Sequence, residues 1–323
     1  MDKAQIVREP GGPEALVWAE VETPAPGPGE VLLRHTAIGV NFLDTYYRSG
    51  LYPWPETPMI PGGEAAGVVE SCGPGVADLN PGDRVAYVCR YGAYRQRRVM
   101  PASVLVRLPD GINDTLAASV MLKGLTAQYL VTSTYRVKAG DRVLVHAAAG
   151  GVGLLLGQWL RALGATAIGT AGSPAKVALA REHGYDHVIN YREQDFVAEV
   201  AAITGGRGCA VVYDSVGQDT WRGSLKCLGR FGMFANFGQS SGMIRDFALS
   251  DLAAGSLSAC RPVLFDYVAE RADLERRAAE LFAMLESGKL RADRVTTRPL
   301  AEAGAVHADL EARRTTGATV LIP

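Results

Sequence analysis

Six residues near the middle of the chain, Ala148-Ala149-Gly150-Gly151-Val152-Gly153, restrict its fold more than any other segment. They follow an apolar run, Arg142 to Ala147, that suits a strand buried on both faces, and they lead into a helical pattern, Val152 to Leu163. A strand that passes through glycines directly into a helix leaves the first N–H groups of that helix unpaired, at the positive end of its dipole. Such a turn is suited to phosphate. Gly150 lets the backbone approach a pyrophosphate, and Gly153 lets the helix pack close to the strand. The form is A-x-G-x-x-G, one glycine short of the usual dinucleotide fingerprint; a structural turn is the competing reading, and the strand before and helix after favour the dinucleotide.

The surroundings agree. Strand-like runs at Ala165 to Thr170, His187 to Asn190, Ala210 to Asp214 and Gly232 to Phe237 alternate with helical segments at Pro174 to His183 and Glu193 to Thr204, the spacing of βαβ units. The first third is different, rich in Gly and Pro, with short β-type runs at Glu30 to Thr36, Ala66 to Ser71 and Arg84 to Val88. A charged helix around Asp273 to Ser287 and a last strand, Ala318 to Ile322, close the chain. The stretch from Val143 to Leu160 carries no formal charge and approaches the roughly 18 residues a membrane helix needs, but His146 and the glycines break it.

Composition removes other classes. Lys and Arg number 33 against 34 Asp and Glu, for a net charge of -1, so there is no basic stripe for nucleic acid. The five cysteines are far apart and include no C-x-x-C pair, which fits a reduced, cytoplasmic setting, and the opening Met1-Asp2-Lys3-Ala4 lacks the apolar core of an export signal.

The end of the second strand speaks to which dinucleotide. An NAD site places Asp or Glu about twenty residues beyond the turn to accept bonds from the ribose diol. This chain has Thr170-Ala171-Gly172-Ser173 there and no carboxylate before Glu182. Lys176 follows on the next helix, where its ammonium and the Ser173 hydroxyl could hold a 2′-phosphate; an ordinary surface lysine is the competing reading. Missing acid and added base point the same way, to NADPH.

At these residues the chain resembles a known family. Gly140-Asp141-Arg142-Val143-Leu144, the glycine turn, Gln158 and Arg161, with Asn41-Phe42-Leu43-Asp44-Thr45-Tyr46, Ser49-Gly50-Leu51-Tyr52-Pro53, Lys123-Gly124-Leu125-Thr126 and Tyr213-Asp214-Ser215-Val216-Gly217, are similar to blocks of the zinc-free quinone oxidoreductases, the zeta-crystallin-like group of the medium-chain dehydrogenase/reductase superfamily. The resemblance runs nearly end to end. It implies an α/β fold: a Rossmann-type doubly wound parallel sheet, residues 122–262, plus a GroES-like, mainly β catalytic domain, residues 1–121, to which 263–323 returns. Zinc relatives carry G-H-E-x-x-G where this chain has Gly62-Gly63-Glu64-Ala65-Ala66-Gly67; glycine has no ligating side chain, no cysteine stands near Asn41, and the structural-zinc cysteine quartet is missing, so no metal is expected.

Carried over residue by residue, the resemblance implies cofactor contacts from Asn41, Thr126, Gly150, Gly151, Val152, Gly172, Ser173, Lys176, Tyr191, Ser215, Phe237, Gly238, Gln239, Arg261 and Arg313. Without zinc or a flavin motif, the simplest chemistry is direct hydride transfer to a conjugated acceptor held at about 3 to 3.5 Å. Charge then builds on a carbonyl oxygen, so the site needs donors. Asn41, Tyr46 and Tyr52 are the candidate catalytic residues, with aromatic packing an equal reading for each tyrosine. The five histidines form no constellation, and His146 reads as core. The expected activity is NADPH:quinone reduction. Enone or alkenal double-bond reduction is the alternative, and an NADPH-binding crystallin-like or RNA-binding protein the alternative of another class. The resemblance also implies a homodimer formed along the edge near Gly238 to Arg261.

Overall fold

The computed structural model describes residues 1–323, and the chain divides into two compact units: Met1–Lys123 with Phe265–Glu286 and Ala292–Pro323, and Gly124–Leu264 with Ser287–Arg291. The first boundary falls inside the helix Asp114–Tyr129. Compared with the expected division, Ser287–Arg291 goes with the second unit. The reason is Gln158, whose amide donates to the Arg291 carbonyl at 3.0 Å and whose oxygen accepts the Arg291 N–H at 2.9 Å.

The first unit is built on a seven-stranded sheet. Its neighbours run in the order Val295–Pro299, Ala318–Ile322, Glu30–Gly39, Glu64–Cys72, Arg84–Val88 and Val106–Arg107, with Arg97–Pro101 also paired to Glu30–Gly39. All pairs are antiparallel except the first, and Val31, Leu33, Ile38, Tyr87, Tyr94 and Leu321 form one buried cluster on it. The strands Glu30–Gly39 and Glu64–Cys72 run longer than hydrophobic runs alone suggest. The first is extended by Ala37, Ile38 and Gly39, and the second starts at Glu64, whose carboxylate is paired with Asn41 and Lys123. A short helix, Phe42–Arg48, follows the first of these strands; its seven residues make fewer than two turns, too few for an amphipathic pattern to stand out in the sequence.

The second unit is a six-stranded sheet in which every pair is parallel. Across the sheet the strands are His187–Asn190, Thr166–Ala171, Arg142–Val145, Cys209–Asp214, Leu228–Asn236 and Ser258–Cys260. Numbered along the chain, that order is 3-2-1-4-5-6, the doubly wound Rossmann arrangement. Order reverses between Arg142–Val145 and Cys209–Asp214, so the connections leaving these two strands depart in opposite directions and open a crevice at their carboxyl ends. The first strand stops at Val145 because Ala147 takes a left-handed conformation, φ 55°, which costs a residue with a Cβ about 1 to 2 kcal/mol. The helix expected from Glu193 begins at Phe196, where the Asp195 carboxylate caps the Val197 N–H at 2.9 Å. Ser258–Cys260, only three residues long, is too short to stand out as a run.

Packing also explains the alanine in the first position of the fingerprint. Ala148 is fully buried, its N–H donates to the Thr170 carbonyl at 2.9 Å, and its methyl lies over Gly169 of the neighbouring strand. A Cβ on Gly169 would come within 2.7 Å of the Ala148 Cβ and 2.9 Å of the Tyr185 ring. The glycine usually found in the turn has in effect been exchanged for one in the adjacent strand. Gly169→Ala is therefore expected to destabilise the protein by about 1 to 3 kcal/mol in urea unfolding. Adding Ala148→Gly should recover part of that loss, and strict additivity of the two changes would refute the packing account.

Candidate functional site

Every strand of the second unit's sheet delivers candidate residues at its carboxyl end. After Val145 comes the glycine turn, with Gly150 as N-cap of the helix Gly151–Ala162. No side chain caps that helix, so the N–H groups of its first turn are left for a ligand. A Cβ on Gly153 would collide with the carbonyl oxygens of Ala147 and Ala148, which makes glycine obligatory there, whereas Gly150 meets only the Ala147 oxygen at 3.2 Å. Val152 and Gly151 occupy the first turn between them.

After Ala171 come Gly172 and Ser173, and Ser173 caps the helix Pro174–Glu182, its hydroxyl accepting from the Lys176 N–H at 3.4 Å. After Asn190 comes Tyr191, whose N–H donates to the Ala171 carbonyl at 3.1 Å and whose ring lies in the space a Cβ on Gly172 would fill. Gly172, Ser173, Lys176 and Tyr191 are thus gathered at one edge of the crevice with no carboxylate among them. This composition fits a phosphate ester on a ribose, and the uncapped helix end beside it fits a pyrophosphate.

On the other side of the crevice the organiser is Asp214, which is fully buried. Its Oδ1 accepts the N–H groups of Val216 (2.8 Å) and Gly217 (3.0 Å), and its Oδ2 accepts the hydroxyls of Thr220 (2.7 Å) and Ser224 (2.9 Å). Its backbone oxygen receives the Phe237 N–H at 2.9 Å, while Gly238 packs against Ser215 so closely that a Cβ would sit 2.7 Å from the Ser215 carbonyl. Ser215, Phe237, Gly238 and Gln239 are held together in this way. Arg261, after the last strand, donates to the Asn236 carbonyl at 2.8 Å.

Ser224 also meets His146 Nε2 at 3.0 Å, and His146 Nδ1 meets the Thr170 hydroxyl at 2.9 Å. Because Ser224 donates to Asp214, Nε2 carries the hydrogen and Nδ1 accepts from Thr170. Burial lowers the pKa of His146, opposed by Asp214, so the ring is a neutral link in the core. Thr126 is buried on the helix Asp114–Tyr129.

The first unit holds the remaining candidates. Asn41 is the N-cap of Phe42–Arg48, and its side-chain amide donates to Glu64 Oε1 at 2.9 Å. Lys123 Nζ reaches the same oxygen at 2.5 Å and the Leu122 N–H reaches Oε2 at 2.6 Å, Asn41 and Lys123 being buried and Leu122 half-buried. One of the two N–H bonds of Asn41 is therefore committed. Tyr46 and Tyr52 stand edge to face at 5.4 Å, and Tyr52 also packs against Tyr47 at 5.5 Å. These contacts are ring packing. Arg313 lies in the first unit, in a left-handed turn with φ 58°.

Sequence reasoning did not single out Asp44, Glu64, Lys123 or Asp214 as site-forming, although all four fall inside recognisable blocks. The available signal was a charged residue within an otherwise apolar run, which implies a buried partner. Asp44 is the most unusual. Its Oδ2 accepts the Asn41 N–H at 2.8 Å and the Tyr94 hydroxyl at 2.9 Å, while Oδ1 has no partner and lies 3.4 Å from where a Cβ on Gly63 would be. Tyr94 accepts in turn from His307 Nε2 at 3.0 Å, since Arg48 donates to Nδ1 at 3.1 Å. Burial, with the Arg48 charge adding, holds His307 down to about 3, and it is neutral. Burial raises Asp44 to about 7 against the bonds from Asn41 and Tyr94 and the charge of Lys123.

The family description of an alcohol dehydrogenase GroES-like domain matches residues 27–134, and that of a zinc-binding dehydrogenase matches residues 151–283. The chain is 48% identical over 315 residues to a quinone oxidoreductase of Pseudomonas aeruginosa, covering 97% of each. It is 46% identical over 332 residues to a 2-haloacrylate reductase of a Burkholderia species, covering 100% of this chain and 99% of that one. The crystal structure of Escherichia coli quinone oxidoreductase complexed with NADPH superposes with a TM-score of 0.97 at 44% identity, over 99% of this chain and 100% of that one.

A pH test follows from Asp44. With a folded pKa near 7 and an unfolded value of 3.8, the group favours the folded state fully only below the unfolded value, and that contribution is lost as pH rises through 7. Asp44→Asn, which cannot ionise, should gain on the wild type by up to about 3 kcal/mol between pH 5 and pH 8 in urea unfolding. His35 and His307 titrate in both proteins and cancel in the difference. A constant offset across that range would show that Asp44 is ionised throughout.

Proposed function

Because the chain belongs to the quinone oxidoreductase group of the medium-chain dehydrogenase/reductase superfamily, we propose that it reduces quinones with NADPH by direct hydride transfer, without metal or flavin. The observation that carries the cofactor choice is the edge of the crevice where Gly172, Ser173, Lys176 and Tyr191 meet with no carboxylate. There the Lys176 ammonium and the Ser173 hydroxyl hold the 2′-phosphate, with Tyr191 beside the adenosine. The N–H groups of Gly151 to Gly153 take the pyrophosphate, and the loops tied to Asp214 receive the nicotinamide end.

When bound, NADPH supplies the hydride. The protein's part is to meet the charge that develops on the acceptor oxygen. A Tyr46 or Tyr52 hydroxyl donates to that oxygen and passes it a proton, and the second N–H of Asn41 adds a donor held in place by Glu64. Neither step needs a strong base or a Lewis acid, in keeping with glycine at position 63. Reduction of an activated double bond is the second reading, favoured by the 46% identity to a reductase of 2-haloacrylate.

The three-residue strand Ser258–Cys260 ends the parallel sheet with one side unpaired, and Leu249 and Phe231 are 82% and 68% exposed. We read this as a homodimer edge, to be tested by light scattering at micromolar concentration. Five free cysteines fit a cytoplasmic enzyme.

Purified protein is expected to oxidise NADPH with benzo- or naphthoquinones, and no oxidation across such a panel would remove the reading; mass spectrometry of the products separates a hydroquinone from a saturated C=C bond. Lys176→Ala should raise the KM for NADPH about tenfold to a hundredfold, the worth of a charge-assisted bond, and leave NADH nearly unaffected. Equal losses for the two cofactors would dismiss Lys176 as the phosphate ligand.

A further inference from the structure

Arg48, Arg84 and Arg98 of the first unit spend their donors on identifiable acceptors. Arg48 bonds the Gly11 carbonyl, His307 and Glu311; Arg84 bonds Asp114 and the Ile112 carbonyl; Arg98 bonds Cys89 and Tyr87. Arg90 is different. It is exposed, its guanidinium carbon lies 4.7 Å above the centre of the Phe265 ring, and no carboxylate pairs with it. Stacking uses the face of the guanidinium; at its edge Arg90 bonds the Tyr47 hydroxyl and keeps further N–H bonds for a planar acceptor.

What lies beside Arg90 gives this edge a direction. The Tyr47 hydroxyl feels the Arg90 charge together with the phenols of Tyr52 and Tyr91, and its ring lies 5.5 Å from Tyr52 and 5.8 Å from Tyr91. Tyr52 in turn touches Tyr46. A cation without a carboxylate partner, bonded to Tyr47, therefore stands at the rim of the aromatic cluster that contains both candidate proton donors. A neutral quinone oxygen needs only a donor, and the tyrosines supply that. A permanent positive charge with no carboxylate partner attracts a negative substituent through a charge-assisted bond that a neutral one cannot make.

We propose that Arg90 is the anion-recognising residue of the acceptor site, and that the preferred acceptors carry a carboxylate or an ionised hydroxyl beside the group that is reduced. The inference rests on the reductase reading above and narrows its substrate class. The guanidinium holds the anionic substituent by two parallel N–H bonds and so fixes which face of the conjugated system meets the tyrosines. A lysine here offers a point charge without the fork, and glutamine offers neither.

The test compares 1,4-naphthoquinone-2-sulfonate with unsubstituted 1,4-naphthoquinone, using the ratio of their kcat/KM values. Within one protein preparation that ratio is independent of the fraction correctly folded. Arg90→Gln should lower it about tenfold or more, the worth of a charge-assisted pair, and Arg90→Lys should lower it less. Rising salt should lower it in the wild type and not in Arg90→Gln. A ratio unchanged in Arg90→Gln overturns the proposal. Should the wild type reduce neither quinone, the reductase reading falls, and binding of the sulfonate, followed by quenching of tyrosine and tryptophan fluorescence, decides Arg90 separately. A Kd raised about tenfold in Arg90→Gln sustains the anion site, and an equal Kd ends it.

Discussion

The four hydrogen bonds accepted by the Asp214 carboxylate hold together the half of the crevice that sheet topology alone leaves open. Strand order 3-2-1-4-5-6 guarantees a gap where the connections diverge, but it does not shape the loops around that gap. Asp214, at the end of the fourth strand, does so by taking two backbone N–H groups from the loop after it and two hydroxyls from the helix region beyond. A buried carboxylate without these partners would cost several kcal/mol. Ser224 and His146 extend the same network to Thr170, so the first, second and fourth strands share one set of polar contacts at the level of the turn.

The first unit depends on a similar economy with a different outcome. Glu64 is satisfied by Asn41, Lys123 and the Leu122 N–H, so its charge is compensated inside the fold. Asp44, nearby, has one oxygen bonded twice and the other not at all, and its pKa rises accordingly. The unbonded oxygen faces Gly63, the position at which the zinc relatives described above place a metal-binding histidine. With Asp44 near neutrality, a half-bonded carboxyl is tolerable because an uncharged acid is far cheaper to bury than a carboxylate.

How much could be read in advance varied with the length scale of the signal. The strands and helices around the glycine turn were legible because buried parallel strands are continuous apolar runs, and because glycines and the helix after them mark the turn. The helix Phe42–Arg48 and the strand Ser258–Cys260 were not, since both are too short for a periodic pattern to recur. The absence of an acid after the second strand was visible as a list of small residues, and the placement of Tyr191 over Gly172 was not. That contact joins the ends of two adjacent strands and exists only once they pair. The alanine at position 148 looked like a defect in the fingerprint until Gly169 was found beneath it.

The chain's residues therefore determined the kind of molecule this is: glycines where a helix must start against a ligand, no acid where a ribose diol would need one, no ligating side chain at position 63, and charges too evenly mixed for nucleic acid. These are properties of local chemistry and spacing, and they survive without coordinates. Tertiary structure alone decided which buried charges are compensated, that Asn41 has one of its N–H bonds committed, that Asp44 keeps an unpartnered oxygen, and that Arg90 stacks on Phe265 with no carboxylate partner. The physical reason is common to all four. Desolvation and pairing depend on which distant segments are brought within about 3 to 5 Å of one another, and no spacing along the chain encodes that distance.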